Sequence, residues 1–137
     1  MSNLHQLVDS FYNAIIKAKP LPFPYESFPH GCCQDTAWIL KRFLDEYGHG
    51  QSYIHVVGGQ RHAWLEQNGL IIDLTYKQFE AANQQYDNYY ITLDRTLHEG
   101  FEIEYSYPLP YWKTYTDQPT ITSLNLYYNH VVKHLEG

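Results

Sequence analysis

A cysteine, a histidine and an aspartate stand in three different local settings, in an order that suits acyl transfer at a thiol. Cys33 closes the run Phe28-Pro29-His30-Gly31-Cys32-Cys33, where a proline-rich loop hands the chain to a helix. His62 opens Arg61-His62-Ala63-Trp64-Leu65-Glu66, a short alternating strand, and Asp73 lies in Leu70-Ile71-Ile72-Asp73-Leu74, the strand after an Asn68-Gly69 turn. A helix start stabilises a thiolate through unpaired backbone N–H groups and partial positive charge. An imidazole must then offer one nitrogen to the sulfur and be oriented through the other. The chemistry implied is attack of a thiolate on a carbonyl.

Within these runs the residues divide by role. Cys33 is the better nucleophile; Cys32 is turned about 100 degrees away around the helix axis and suits packing or the turn. Gly31 allows a tight entry to the helix. The backbone N–H of Cys33 and the neighbouring Gln34 are the candidates to receive the oxyanion. Asp35 reads as a first-turn acid serving the helix start. Asp73 sits in an otherwise apolar strand, where an unpaired carboxylate is costly, so it needs a partner. An Asn-Gly hairpin turn places opposite one another residues whose numbers sum to about 137. His62 then faces Thr75, and Asp73 lies one diagonal step away.

The remaining histidines carry less. His55 lies on a strand rich in Tyr and Val with no acid at an obvious return position, and His5, His49, His98, His130 and His134 read as surface or helix-face residues. His130 and His134 have a spacing that could grip a metal, but no Glu or Cys completes a zinc set there. No metal and no cofactor is expected. Gly58-Gly59 follows a strand without a phosphate-loop lysine behind it, so it reads as a turn.

These residues need elements to carry them. Leu4, Leu7, Val8, Phe11 and Ile15 recur at helical spacing, ending near Lys19 before Pro20, Pro22 and Pro24. Residues 20–31 form a stiff loop pinned to the body by Tyr25 and Phe28. The clearest helix runs from Cys33 to Tyr47, with Ala37, Leu40 and Leu44 on its apolar stripe, Lys41, Arg42, Asp45 and Glu46 on the exposed side and Gly48 as the stop. Strands follow over Ser52–Val57, His62–Glu66 and Leu70–Leu74, then a short helix over Lys77–Gln85, and strands over Tyr89–Leu93 and Phe101–Tyr107. A terminal helix carries Leu124, Tyr127, Tyr128, Val131, Val132 and Leu135 and is expected to cover the sheet. The class is α+β, antiparallel, with helices at both ends.

The chain of 137 residues is read as one domain over 1–137. Its net charge of −6, without a run of Lys or Arg, argues against nucleic acid. No stretch approaches the roughly 18 apolar residues of a membrane span. Met1–Gln6 lacks a secretory start, and two adjacent cysteines make no disulfide framework, so a reducing cytoplasmic home is expected. The 14 Tyr and 3 Trp supply packing, and an exposed subset would suit a peptide groove.

Gly31-Cys32-Cys33-Gln34-Asp35-Thr36-Ala37, His62-Ala63-Trp64-Leu65-Glu66 and Asn68-Gly69-Leu70-Ile71-Ile72-Asp73 together resemble the papain-like/transglutaminase-like cysteine superfamily. The resemblance is to its small bacterial members, among them the leader-peptide proteases of lasso-peptide maturation. It covers about Phe28 to Phe79 and rests on the order and spacing of the motifs. It implies a Cys33–His62–Asp73 triad on a helix packed against a small antiparallel sheet, and a thioester mechanism acting on a peptide or protein amide. Hydrolysis by a peptidase or amidase is the preferred expectation. Amine transfer, deamidation, and an inactive peptide-binding or regulatory protein of the same fold are the alternatives. A monomer is expected; the competing homodimer would use Tyr127-Tyr128 and Val131-Val132 as an exposed patch.

Overall fold

The computed structural model describes residues 3–22, 25–28, 33–48, 52–57, 62–76, 89–107 and 118–135. Among these residues, three helices and five strands follow in the order α1 (Leu4–Lys17), α2 (Cys33–Glu46), β1 (Tyr53–Val57), β2 (Ala63–Gln67), β3 (Leu70–Asp73), β4 (Tyr90–Thr92), β5 (Ile103–Tyr107) and α3 (Gln118–Val132). This is an α+β domain. The helix expected over Lys77–Gln85 lies outside the described residues.

Local chemistry explains the element ends. Asn3 caps α1: its side chain accepts from the Gln6 N–H while the Gln6 side chain accepts from the Asn3 N–H, which satisfies two end groups at once. Leu7, Val8, Phe11 and Ile15 then bury the apolar stripe. Gly48, at φ +86°, supplies the left-handed residue after α2. Between the two helices, Tyr25 and Phe28 are buried, and Tyr25 stacks on Tyr127 with ring centres 4.1 Å apart. That contact pins the proline-rich loop to the helical layer.

All strand pairings are antiparallel, in the order β4-β3-β2-β1-β5. The β2–β3 hairpin turns at Asn68 (φ 52°) and Gly69 (φ 80°), the two positive values that a type I′ turn requires. Its pairs are Leu65 with Ile72, Glu66 with Ile71 and Gln67 with Leu70, the register anticipated from the turn. The alternation along the strands makes two different faces. Ile54, Val56, Ala63, Leu65 and Ile72 join α2 in the main core, whereas Val57, Trp64 and Ile71 form a smaller cluster with Phe101 on the other side.

That second face is crossed by the chain itself. β4 and β5 lie at opposite edges of the sheet, so the segment 93–102 must traverse about 19 Å, four strand spacings. It does so as a strap over β3 and β2. Arg95 pairs with Glu66 and donates to the Gly69 carbonyl at 3.1 Å, fixing the strap near the hairpin turn. The Tyr76 hydroxyl holds the Leu97 carbonyl at 3.3 Å.

Two expectations about packing are corrected. Lys41 is buried, because its ammonium donates to the Ser52 carbonyl at 2.9 Å and pairs with Asp45 at 3.3 Å, tying α2 to the entrance of β1. The terminal helix α3 packs on α1 and α2, so it closes the helical layer and not the sheet. Tyr127, Tyr128 and Val131 are buried in that packing and form no exposed patch for a second copy. The Tyr127 hydroxyl bonds Thr36 on α2 at 3.0 Å, and Tyr128 donates to Glu46 at 2.8 Å. No helix among the described residues is long and apolar enough to cross a membrane.

Candidate active site

Helix α2 begins at Cys33, a free and partly exposed cysteine. The helix lies against β2, and Cys33 lines a narrow recess with Thr36, Ala37, Ala63, Ile72 and Thr75. His62 stands one residue before β2, at the end of the strand, fully buried. Its carbonyl accepts the Val57 N–H at 2.9 Å, which ties the His62 backbone to β1. The imidazole is hydrogen-bonded to Cys33 on one side and to Asp73 on the other.

The bond to the acid is short and oriented. His62 Nε2 donates to Asp73 Oδ2 at 2.6 Å, which leaves Nδ1 as the ring nitrogen for the sulfur. The register places this contact one diagonal step across the hairpin. Asp73 Oδ1 receives the Thr75 N–H at 3.0 Å. A second imidazole also reaches the acid: His98, carried by the strap, donates from Nε2 to Asp73 Oδ2 at 2.7 Å. His98 was expected at the surface and is 4% exposed. Its ring packs on Trp64 and Tyr76, with centres 4.8 and 5.1 Å apart.

The electrostatics follow from this geometry. Burial pushes the His62 imidazolium towards losing its proton. Hydrogen bonds to Asp73 and Cys33, together with their negative charge, outweigh that and raise its pKa to about 9. For Asp73, burial would raise the carboxyl, yet the bonds from His62 and His98 hold it below the usual carboxylate range. The site therefore favours an imidazolium beside the sulfur and a carboxylate behind it.

The other candidates fall into place around this centre. Asp35 occupies the first turn of α2; burial pushes its carboxyl up, opposed by a hydrogen bond from Tyr25. Gln34 is half-buried beside Cys33. Cys32 lies outside the described residues. One ring nitrogen of each of His130 and His134 is taken by a backbone carbonyl: His130 Nε2 donates to Ala18 at 2.7 Å and His134 Nδ1 to His130 at 3.1 Å.

His62, Asp73 and His98 are the residue types of a metal site, and their ligand atoms lie within 4.8 Å of one another. Two of the separations are 2.6 and 2.7 Å, whereas ligands bound at 2.0–2.1 Å around a tetrahedral zinc stand about 3.3 Å apart. The three groups are spaced as hydrogen-bond partners.

A second histidine–acid pair escaped the sequence. His55 Nε2 bonds Glu66 at 3.2 Å, and His55 Nδ1 bonds Ser106 Oγ at 2.7 Å, on the same face of the sheet as His62 and across the Trp64 ring from it. The acid comes from β2, one diagonal step from Trp64, the cross-strand partner of His55. An acid on the neighbouring strand was thus present where none was expected. The alternation of His62, Trp64 and Glu66 was the available signal, since it puts Glu66 on the face of His55.

Comparison of the chain with protein-family models, with curated proteins and with solved structures finds no match in any of the three.

Proposed function

We propose that this chain is a thiol-dependent amide hydrolase, a peptidase or amidase, with Cys33 as nucleophile, His62 as its acid and base and Asp73 as the group that orients His62. The papain-like/transglutaminase-like core belongs to the same reading. The observation that carries it is the position of His62, bonded to the Cys33 sulfur and, through Nε2 at 2.6 Å, to a buried carboxylate.

The steps balance with these groups alone. The Cys33 thiolate attacks the amide carbon, forming the S–C bond and moving the carbonyl electrons onto oxygen. Backbone N–H groups at the start of α2, with Gln34, receive that oxyanion. As the intermediate collapses, the C–N bond breaks and His62 gives its proton to the leaving amine. Water then attacks the thioester while His62 takes a proton from it. The C–S bond breaks, releasing the acid and restoring the thiolate–imidazolium pair. Asp73 keeps Nε2 occupied, so Nδ1 faces the sulfur throughout.

The test is covalent labelling of the purified chain with a peptidyl chloromethyl ketone, located by peptide mapping. One adduct on Cys33 is expected, absent in Cys33→Ser and strongly reduced in His62→Ala. An adduct on Cys32, or labelling indifferent to His62, overturns the assignment.

A further inference from the structure

We infer that His98 is a positioning residue of this site, a second imidazole that shares Asp73 Oδ2 with His62 and fixes the direction in which His62 is held. The inference rests on the triad reading above and adds a fourth side chain to it.

The argument begins with what His98 does with its polar atoms. Nε2 donates to Asp73 Oδ2 at 2.7 Å, while Nδ1 is buried and has no hydrogen-bond partner among the described residues. Burying an imidazole among aromatic rings costs free energy unless its hydrogen bond returns it. Here the single return is the bond to the acid. If the position only anchored the strap, an apolar ring would serve, as Phe101 does a few residues later by packing on Trp64 and His62.

The second step concerns the carboxylate. Oδ2 takes two imidazole donors and Oδ1 takes the Thr75 N–H, so rotation of the carboxylate would break contacts on both sides. With that plane fixed, the direction of the His62 bond is fixed too, and with it the aim of Nδ1. Sharing Oδ2 also lowers its affinity for a further proton. The proton of His62 is then kept on the imidazole, available to the sulfur side, and is not drawn onto Asp73. Among the described residues, the groups that face His62 include Cys33 from α2, Trp64 from β2, Asp73 from β3, the Tyr76 ring and, from the strap, Phe101 and His98.

The experiment is alkylation of Cys33 by iodoacetamide as a function of pH, in the intact chain and in His98→Phe and His98→Gln. Phe fills the aromatic site without a donor; the Gln amide N–H reaches the place of Nε2. His98→Phe should alkylate about tenfold more slowly at pH 7, the scale on which groups supporting a functional histidine act. The step where His62 loses its proton should also move away from about 9. His98→Gln should recover most of both. A folded His98→Phe with unchanged rate and profile, or a Gln variant as impaired as Phe, overturns the inference.

If His98→Phe does not fold, ¹⁵N-histidine spectra of the unaltered chain decide. Capping Cys33 with iodoacetamide should shift the Nε2–H signals of His62 and His98 together; a His98 signal that stays in place overturns the inference. His62→Ala separates the two readings. Alkylation indifferent to His62 removes the triad itself, whereas sensitivity to His62 without sensitivity to His98 removes only the fourth member.

Discussion

The sheet holds two histidine–acid pairs, each separated by eleven residues and each one diagonal step across neighbouring strands. His62 and Asp73 are completely buried at 2.6 Å, between a thiol and a second imidazole. His55 and Glu66 are partly exposed at 3.2 Å, between a serine hydroxyl and a guanidinium. On paper both are nucleophile–histidine–acid arrays. They differ in what the acid is free to do. Glu66 divides its charge between His55 and Arg95, in a place where water screens both. Asp73 has imidazole and backbone donors, and its low-dielectric setting strengthens their hold on it. Ser106 also lies within a paired strand, while Cys33 begins a helix. A hydrogen-bonded sequence of residue types is thus insufficient; burial and the donors behind the acid separate the two pairs.

The largest separation between the pairs should appear on deleting the acids. Asp73→Ala leaves two buried imidazole N–H groups without an acceptor and should cost about 3–5 kcal/mol in urea unfolding. Glu66→Ala, in the exposed pair, should cost less than about 1 kcal/mol. Similar losses for both would erase the distinction drawn from burial.

pH sharpens it next. The folded pKa of His62, about 9, stands above the ordinary histidine value near 6.5. Its contribution is therefore complete below about pH 6.5 and is lost as pH rises through 9, a decline of roughly 3 kcal/mol. Unfolding free energies measured across that window should show the decline, and His62→Gln should flatten it. Glu66→Gln should leave it in place, because the Glu66 carboxyl, pushed up by burial, is held lower still by bonds from Arg95 and His55 and changes charge only in acid.

Reactivity gives the third contrast. His62→Ala should slow iodoacetamide at Cys33 by at least about 100-fold at pH 7, the lower range for loss of a positioned acid–base group. His55→Ala and Ser106→Ala should each change that rate less than about twofold. A comparable loss from His55→Ala would mean that the two pairs, which flank Trp64, act as one site.

Much of the first pair is legible in the sequence, because a two-residue Asn-Gly turn leaves little freedom in register. With β2 and β3 as strands about that turn, the proximity of His62 and Asp73 follows. The second pair depends on β1 against β2, joined through residues 58–61, which carry no comparable turn rule. His98 was less legible still. Its position depends on a strap between opposite sheet edges, and nothing local in Thr96-Leu97-His98-Glu99 announces a buried ring. Lys41 misled for a related reason: its helix position looked solvated, and only the Ser52 carbonyl, on another element, explains its burial. Helix α3 showed its apolar stripe plainly but not which layer it would close.

The strap also orders events in time. The β2–β3 hairpin closes a two-residue turn and can form in microseconds, taking His62 and Asp73 with it. His98 can arrive only once the chain has passed β4 and turned back over the hairpin, a contact between residues 25 apart in sequence against 11 for His62 and Asp73. A nascent chain that has emerged only as far as Leu93 holds the hairpin without its third donor. The buried carboxylate is completed by the crossing segment, after the hairpin that supplies its first donors.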